Sequence, residues 1–239
     1  MFIFCQVHPF KLATKFVSEA KRLANTEVVI GSVSDVIQHE GRVTGVKVDG
    51  KVIPADVVVM AMGPWSYKAC AWFDVPVVKG GRAHSVVLKQ KSESNNPITA
   101  HCLFTDYRGR KLSGEPELYP RPDGTVYACG FSDDVAMPDD AKDVKPNKQS
   151  CAVLKDICAQ ISSELADSDV IAEQACYLPT PQGRSGPVIG KIANVENAYI
   201  AAGHTCWGIL NAPATGKAIA ELILDGECSF LDLSPFAPK

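Results

Sequence analysis

The chain has 239 residues, 24 Lys and Arg against 27 Asp and Glu, and a formal net charge of −3. Hydrophobic residues at 46% and charged residues at 21% exclude disorder as the main state and supply a core for one large domain or two small ones. Without a basic excess to release counterions from phosphates, the composition also argues against a dedicated nucleic-acid binder.

Met1-Phe2-Ile3-Phe4-Cys5 is too short for a signal-peptide core and lacks a basic flank. The longest strong apolar run, Val57 to Met62, is strand-sized, so no membrane span and a cytoplasmic location are expected. Nine cysteines stand at 5, 70, 102, 129, 151, 158, 176, 206 and 228 without a C-x-x-C or zinc-finger spacing. Reduced thiols and no metal site are the expectation.

Apolar positions from Phe10 to Leu23 recur at helical spacing after Pro9, and Asn25 suits the helix end. Val33 to His39 and Arg42 to Val48 read as strands joined at Glu40-Gly41. Asp49-Gly50 then turns into a short return strand, Lys51 to Ile53. Ala55 to Met62 is continuously apolar and ends at Gly63-Pro64, the pattern of a strand buried on both faces of a parallel sheet. Short alternating runs at 83–88, 101–105 and 125–131, split by polar and turn residues, read as an antiparallel sheet with long loops. A helix is expected over Ser150 to Leu165 and a strand over Asp169 to Tyr177. Ala198 to Ala202 reads as a strand, followed by a loop from Thr205 to Leu210. A small-residue helix then runs from Asn211 or Ala212 to Leu224, with Pro213 in its first turn.

The run Ala201 to Gly216 (AAGHTCWGILNAPATG) carries the chemistry. Gly203 and Gly208 let backbone approach a flat ligand, and the following helix aims N–H groups and a positive dipole end at it. The same spacing also describes a plain strand-to-helix turn. Gly-His, three variable residues, Gly-Ile-Leu and Ala-Pro-Ala-Thr-Gly together resemble the flavin-contacting segment of the D-amino-acid oxidase / glycine oxidase superfamily of FAD-dependent oxidoreductases. Three further stretches resemble that family in order: Val7-His8-Pro9 with Leu12 and Phe16, Gly31-Ser32-Val33, and Ala55 to Ser66 with Gly63-Pro64-Trp65-Ser66. Gly81 to Ser85, Tyr119 to Gly124 and Gly208 to Asn211 are similar to a eukaryotic subgroup whose substrates the resemblance leaves undefined.

The resemblance implies an α/β fold. Residues 1–76 with 178–239 form an incomplete Rossmann-like FAD-binding domain, and 77–177 an inserted antiparallel-sheet substrate domain. It implies FAD contacts at Val33, Gly63, Pro64, Trp65, Gly203, His204, Thr205, Cys206, Trp207, Gly208 and Ile209. Substrate candidates are Tyr119, Arg121 and Arg184, while Pro179 stands where the family places an Arg that grips a carboxylate. The implied activity is oxidation of a C–N bond in a small amine or amino-acid-like substrate, with hydride passing to flavin. The alternative is an inactive flavin-fold module with an interaction or trafficking role. No Gly-x-Gly-x-x-Gly occurs in the sequence. The family reading therefore implies a truncated chain that holds FAD weakly or not at all, with an open strand edge that invites self-association.

Overall fold

Turn chemistry builds the first sheet. In a computed structural model, which describes residues 6–91, 98–109 and 113–239, Glu40 and Gly41 have φ angles of 48° and 76°, and Asp49 and Gly50 of 46° and 82°. Positive φ at both central residues closes tight hairpins whose twist matches the strands they join. They link β1 (Val33–His39), β2 (Arg42–Val48) and β3 (Lys51–Pro54) into an antiparallel sheet in that order. Ahead of them lies α1 (Pro9–Leu23), which stops short of Asn25 because Ala24 is already extended. Residues 1–5, read above as too short for a signal peptide, lie outside the described residues.

The remaining strands are β4 (Val58–Met60), β5 (Val78–Lys89), β6 (Leu103–Phe104), β7 (Tyr107–Arg108), β8 (Ser113–Gly114), β9 (Glu117–Pro120) and β10 (Thr125–Asp133). After α2 (Lys148–Ile161) come β11 (Asp169–Pro181), β12 (Val188–Lys191), β13 (Ala198–Ala202) and α3 (Gly208–Leu224). The chain divides into two compact units, Met1–Lys79 with Pro179–Lys239, and Gly80–Leu178.

In the first unit, β13 pairs antiparallel with β12 and parallel with β4. The core gathers Val36 and Val43 of the hairpin sheet with Met60, Phe73, Val78, Val188, Ile200 and Ala202. Asn197, only 4% exposed, binds these parts together. Its Oδ1 accepts from Val43 N at 2.7 Å, its Nδ2 donates to the carbonyls of Val43 and Asp56, and its own carbonyl accepts from Val58 N at 3.0 Å. Around the same turn Glu196 N donates to Gly41 O, and Arg42 pairs with the Glu196 carboxylate at 2.9 Å.

Two expectations are corrected in this unit. The apolar run 55–62 is not a strand buried on both faces. Only Val58–Met60 pair, β4 sits at a sheet edge, and Met60 alone of the strand is buried. Alternation explains this: Met60 points into the core while Val57 and Val59 stay exposed. The second correction concerns α3, which starts at Gly208 rather than at 211 or 212. Pro213 therefore lies inside the helix, where it removes one backbone donor, instead of in the first turn.

The second unit is a five-stranded sheet in the order β11-β5-β10-β9-β6. Val86, Leu88, Leu118, Val126 and Ala128 form one face, covered by Cys151, Leu154 and Cys158 of α2 and by Leu165. The Asn147 side chain caps α2 by accepting from Gln149 N at 2.9 Å and Ser150 N at 3.3 Å. The helix ends at Ile161, not Leu165, because Ser162 is extended; a short 3-10 turn, Ser163–Leu165, returns Leu165 to the core. At one end of the sheet Arg82 grips Asp133 with two bonds of 2.7 and 2.6 Å and donates to Lys145 O at 3.1 Å. The buried His84 beside it shares a hydrogen bond with Phe131 O through Nδ1. The eight described cysteines are free thiols, and burial pushes Cys158 up to about 12.

Two stability outcomes follow from these contacts. Asn197→Ala leaves buried backbone groups of Val43 and Asp56 unpaired, at roughly 1–3 kcal/mol each. Urea unfolding is expected to show a loss of about 3 kcal/mol, and a change below 1 kcal/mol would remove Asn197 from this role. Arg82 holds the Asp133 carboxyl below its ordinary value of 3.8. A carboxylate depressed by folding stabilises at pH above that value and loses its contribution as pH falls. Arg82→Met should therefore flatten the acid-side decline of the urea midpoint between about pH 5 and 2.

Candidate functional site

The parallel register of β4 and β13 pairs Met60 with Ile200, so the chain leaves both strands on the same side of the sheet. Three residues beyond each partner stands a glycine in the left-handed region, Gly63 at φ 53° and Gly203 at φ 85°. The carboxyl ends of adjacent parallel strands are where such sheets hold ligands. Gly63 opens a 3-10 helix, Gly63–Ala71, whose Pro64 and Trp65 are partly exposed and whose Ser66 is buried with its hydroxyl unpaired. At Gly203 a Cβ would stand 2.5 Å from Pro181 Cγ, so only glycine lets β13 turn here.

The Gly203 loop is short and stiff. Thr205 takes φ 52°, and a 3-10 turn, Thr205–Trp207, runs directly into α3, whose first turn has no side-chain cap. The first N–H groups of α3 thus lack a side-chain partner and stand at the positive end of the helix dipole. His204 Nε2 lies 2.9 Å from Thr215 Oγ1 on α3, fastening loop to helix. Burial lowers the His204 pKa from its ordinary 6.5, which keeps the imidazole neutral at pH 7. Cys206 is exposed, and around the helix start Trp207 is 60% and Leu210 71% exposed, with Ile209 also open to solvent. Large apolar side chains beside free backbone donors suit a flat, partly anionic ligand.

Val33 opens β1 opposite Val48 and is 42% exposed. Just before it, Ser32 N donates to Asp49 Oδ1 at 3.0 Å, and Asp49 N donates to Ser32 O. A Cβ on Gly31 would fall 2.5 Å from Val48 Cγ1, so a side chain there would make Val48 or Asp49 shift. The described residues contain no cluster of three His, Cys, Asp or Glu arranged for a metal ion. They also contain no helix long and apolar enough to cross a membrane.

In the second unit Tyr119 and Arg121 share the sheet face opposite the α2-covered core. Tyr119 stands across from Tyr127, with ring centroids 6.2 Å apart, and the Arg121 guanidinium lies 5.0 Å over the Tyr127 ring. Phe104 meets Tyr119 edge-on at 5.8 Å. Burial, reinforced by the hydrogen bond to Glu117, raises the Tyr119 pKa; burial takes Tyr127 to about 12.

Arg184, the third substrate candidate, is corrected by its surroundings. Its Nη1 and Nη2 donate to the carbonyls of Ala237 and Pro235 at 2.8 and 2.7 Å. Both groups that would grip a carboxylate are thus spent on anchoring the 234–239 segment. Sequence reading passed over Glu117, Tyr127, Cys129 and Thr215. Period-two alternation in Glu117-Leu118-Tyr119 already places Glu117 on the face of Tyr119; the other three depend on pairing across strands or between loop and helix.

A model of the family described as FAD dependent oxidoreductase (DAO) matches residues 5–222. The chain belongs to that family. It is 40% identical to TDA3 of Saccharomyces cerevisiae over 187 residues, 76% of this chain and 34% of that protein. To a glycine oxidase of Pseudomonas putida it is 27% identical over 208 residues, 87% of this chain and 52% of that protein. The fold is similar to L-proline dehydrogenase from P. horikoshii, with a TM-score of 0.75 at 23% identity, covering 96% of this chain and 59% of that one. The chain thus spans about a third to a little over half of these relatives.

Gly203→Ala should cost about 2 kcal/mol from left-handed strain alone, before the clash with Pro181. Thermal unfolding checks this, and a midpoint equal to the parent's would show that the turn at β13 is not fixed by glycine.

Proposed function

We propose that this chain supplies the flavin-facing and substrate-facing parts of an FAD-dependent enzyme that oxidises a C–N bond in a small amine or amino-acid-like substrate. The observation that carries this reading is the meeting of the Gly63 and Gly203 turns at one end of the parallel pair, beside the uncapped start of α3. FAD bound there would supply the acceptor for the hydride that leaves the substrate carbon.

The protein's share is binding and electrostatics. The first N–H groups of α3 and its dipole favour negative charge on a ring edge placed against them. Gly203 keeps the backbone close, and Trp207 and Ile209 offer apolar surface and shield the ring from water. Neutral His204, held by Thr215, keeps the loop in one geometry. Val33 and the Gly63-Pro64-Trp65 turn are assigned to the rest of the dinucleotide. Tyr119 and Arg121 are assigned to the substrate, and Arg184 is given a structural role. The names of relatives acting on glycine and L-proline support an amino-acid-like substrate.

Gly208 offers a clean test. It has ordinary helical geometry, and a Cβ there would meet nothing nearer than His204 Cβ at 3.8 Å. The protein itself therefore admits a side chain that a ring against the loop would not. FAD titrated into the 239-residue chain should bind in the micromolar range or weaker. The sequence has no Gly-x-Gly-x-x-Gly, and each missing charge-assisted bond to the pyrophosphate costs roughly 1.5–3 kcal/mol. Gly208→Val should weaken that binding at least tenfold with an unchanged circular dichroism spectrum. Equal affinity would displace the flavin from this loop. In the full-length protein, anaerobic bleaching of the flavin band by a panel of small amines tests the reaction, and no bleaching by any of them would overturn it.

A further inference from the structure

On the outer face of the five-stranded sheet, one carboxylate stands among aromatic rings. Glu117 and Tyr119 are same-face neighbours on β9, opposite Cys129 and Tyr127 on β10. The Tyr119 hydroxyl donates to Glu117 Oε2, and the Cys129 thiol donates to the same oxygen at 3.9 Å. Both donors are neutral: the phenol's pKa is raised, and the thiol is pushed up to about 12 by burial and by the nearby Glu117 charge. Among the described residues no Lys, Arg or His pairs with Glu117. Two cations on this face stand at the far end, Arg121 over the Tyr127 ring and Lys89 on β5 across from Thr125.

We infer that Glu117 is the receptor for an ammonium group on the substrate, with the rings of Tyr119 and Phe104 as its walls. The physics is that of a half-buried anion whose partners among the described residues are neutral. A carboxylate in such surroundings gains most from a cation brought out of water beside it. Electron-rich ring faces add attraction for an alkylammonium that they do not give a carboxylate. Arg121 repels a cation from the opposite end, so the face is polarised and sets the direction in which a substrate lies. A substrate recognised this way carries a protonated amine, whereas a simple carboxylic acid is turned away from Glu117.

This assignment deepens the amine-oxidising reading and rests on it for the word substrate, but its test needs no flavin. The full chain at pH 7 and low salt is titrated with n-butylammonium, and separately with butanoate, by calorimetry and saturation-transfer NMR. Saturable binding of the cation is expected, weakened by salt, with none for butanoate. Glu117→Gln keeps an acceptor for the Tyr119 hydroxyl and removes the charge. It should weaken cation binding tenfold or more with the circular dichroism unchanged. Glu227→Gln, which removes an exposed charge of the first unit, should change it no more than threefold. Equal affinity in Glu117→Gln, preference for butanoate, or no saturable cation binding would overturn the inference. If amines bleach the flavin of the full-length protein but the cation does not bind here, only the Glu117 assignment falls. If the cation binds and no amine bleaches the flavin, only the oxidation reading falls.

Discussion

The first unit depends on Asn197, a primary amide buried where three pieces of chain meet. It stands immediately before β13 and satisfies both backbone groups of Val43 on β2 while reaching the carbonyl of Asp56 ahead of β4. Its own carbonyl takes Val58 N, the first donor of β4. One residue therefore sets the β4–β13 register and docks the hairpin sheet against that pair. A slip of one residue would turn Met60 out of the core and separate the Gly63 and Gly203 turns. The geometry of the proposed flavin site is thus a consequence of a contact that touches none of its residues.

How much of this was legible in the sequence depends on the range of the forces involved. Glu40-Gly41 and Asp49-Gly50 announce their hairpins because the turn chemistry is local, and β1 and β2 appear where the strands were expected. Ala198–Ala202 and its glycine were equally readable. Local pattern failed where tertiary context decides. The apolar run 55–62 looks like a doubly covered strand, yet pairing restricts it to three residues at an edge. The start of α3 was placed after the loop because Pro213 marks a helix entrance, but the helix continues back through it to Gly208. β9 and β12, four residues each like β3, have no Asp-Gly turn beside them to announce them and are defined by their partners.

The candidate sites divide along the same line. Glycines and a helix start form the Gly203 loop, and those are written in a contiguous motif that one stretch of sequence reveals. Glu117 takes its meaning from Tyr127 and Cys129, ten and twelve residues away and aligned with β9 by register alone. Arg184 shows the converse: an attractive residue in a glycine-rich turn whose donors are consumed by Pro235 and Ala237, a contact that spans about fifty residues.

This division bears on how one fold serves several substrates. At the Gly203 loop, the proposed recognition would run through backbone N–H groups, a left-handed glycine and a helix dipole, so most side chains there could change while the shape persists. On the β9–β10 face, the proposed recognition would run through the charges of Glu117 and Arg121 and the rings between them, so a single substitution would alter which substrate fits. A family that keeps its fold at low identity while differing in substrate is what such a separation produces. On the proposed reading the first unit would hold the flavin through its backbone, and specificity would rest on a few side chains on the sheet of the second.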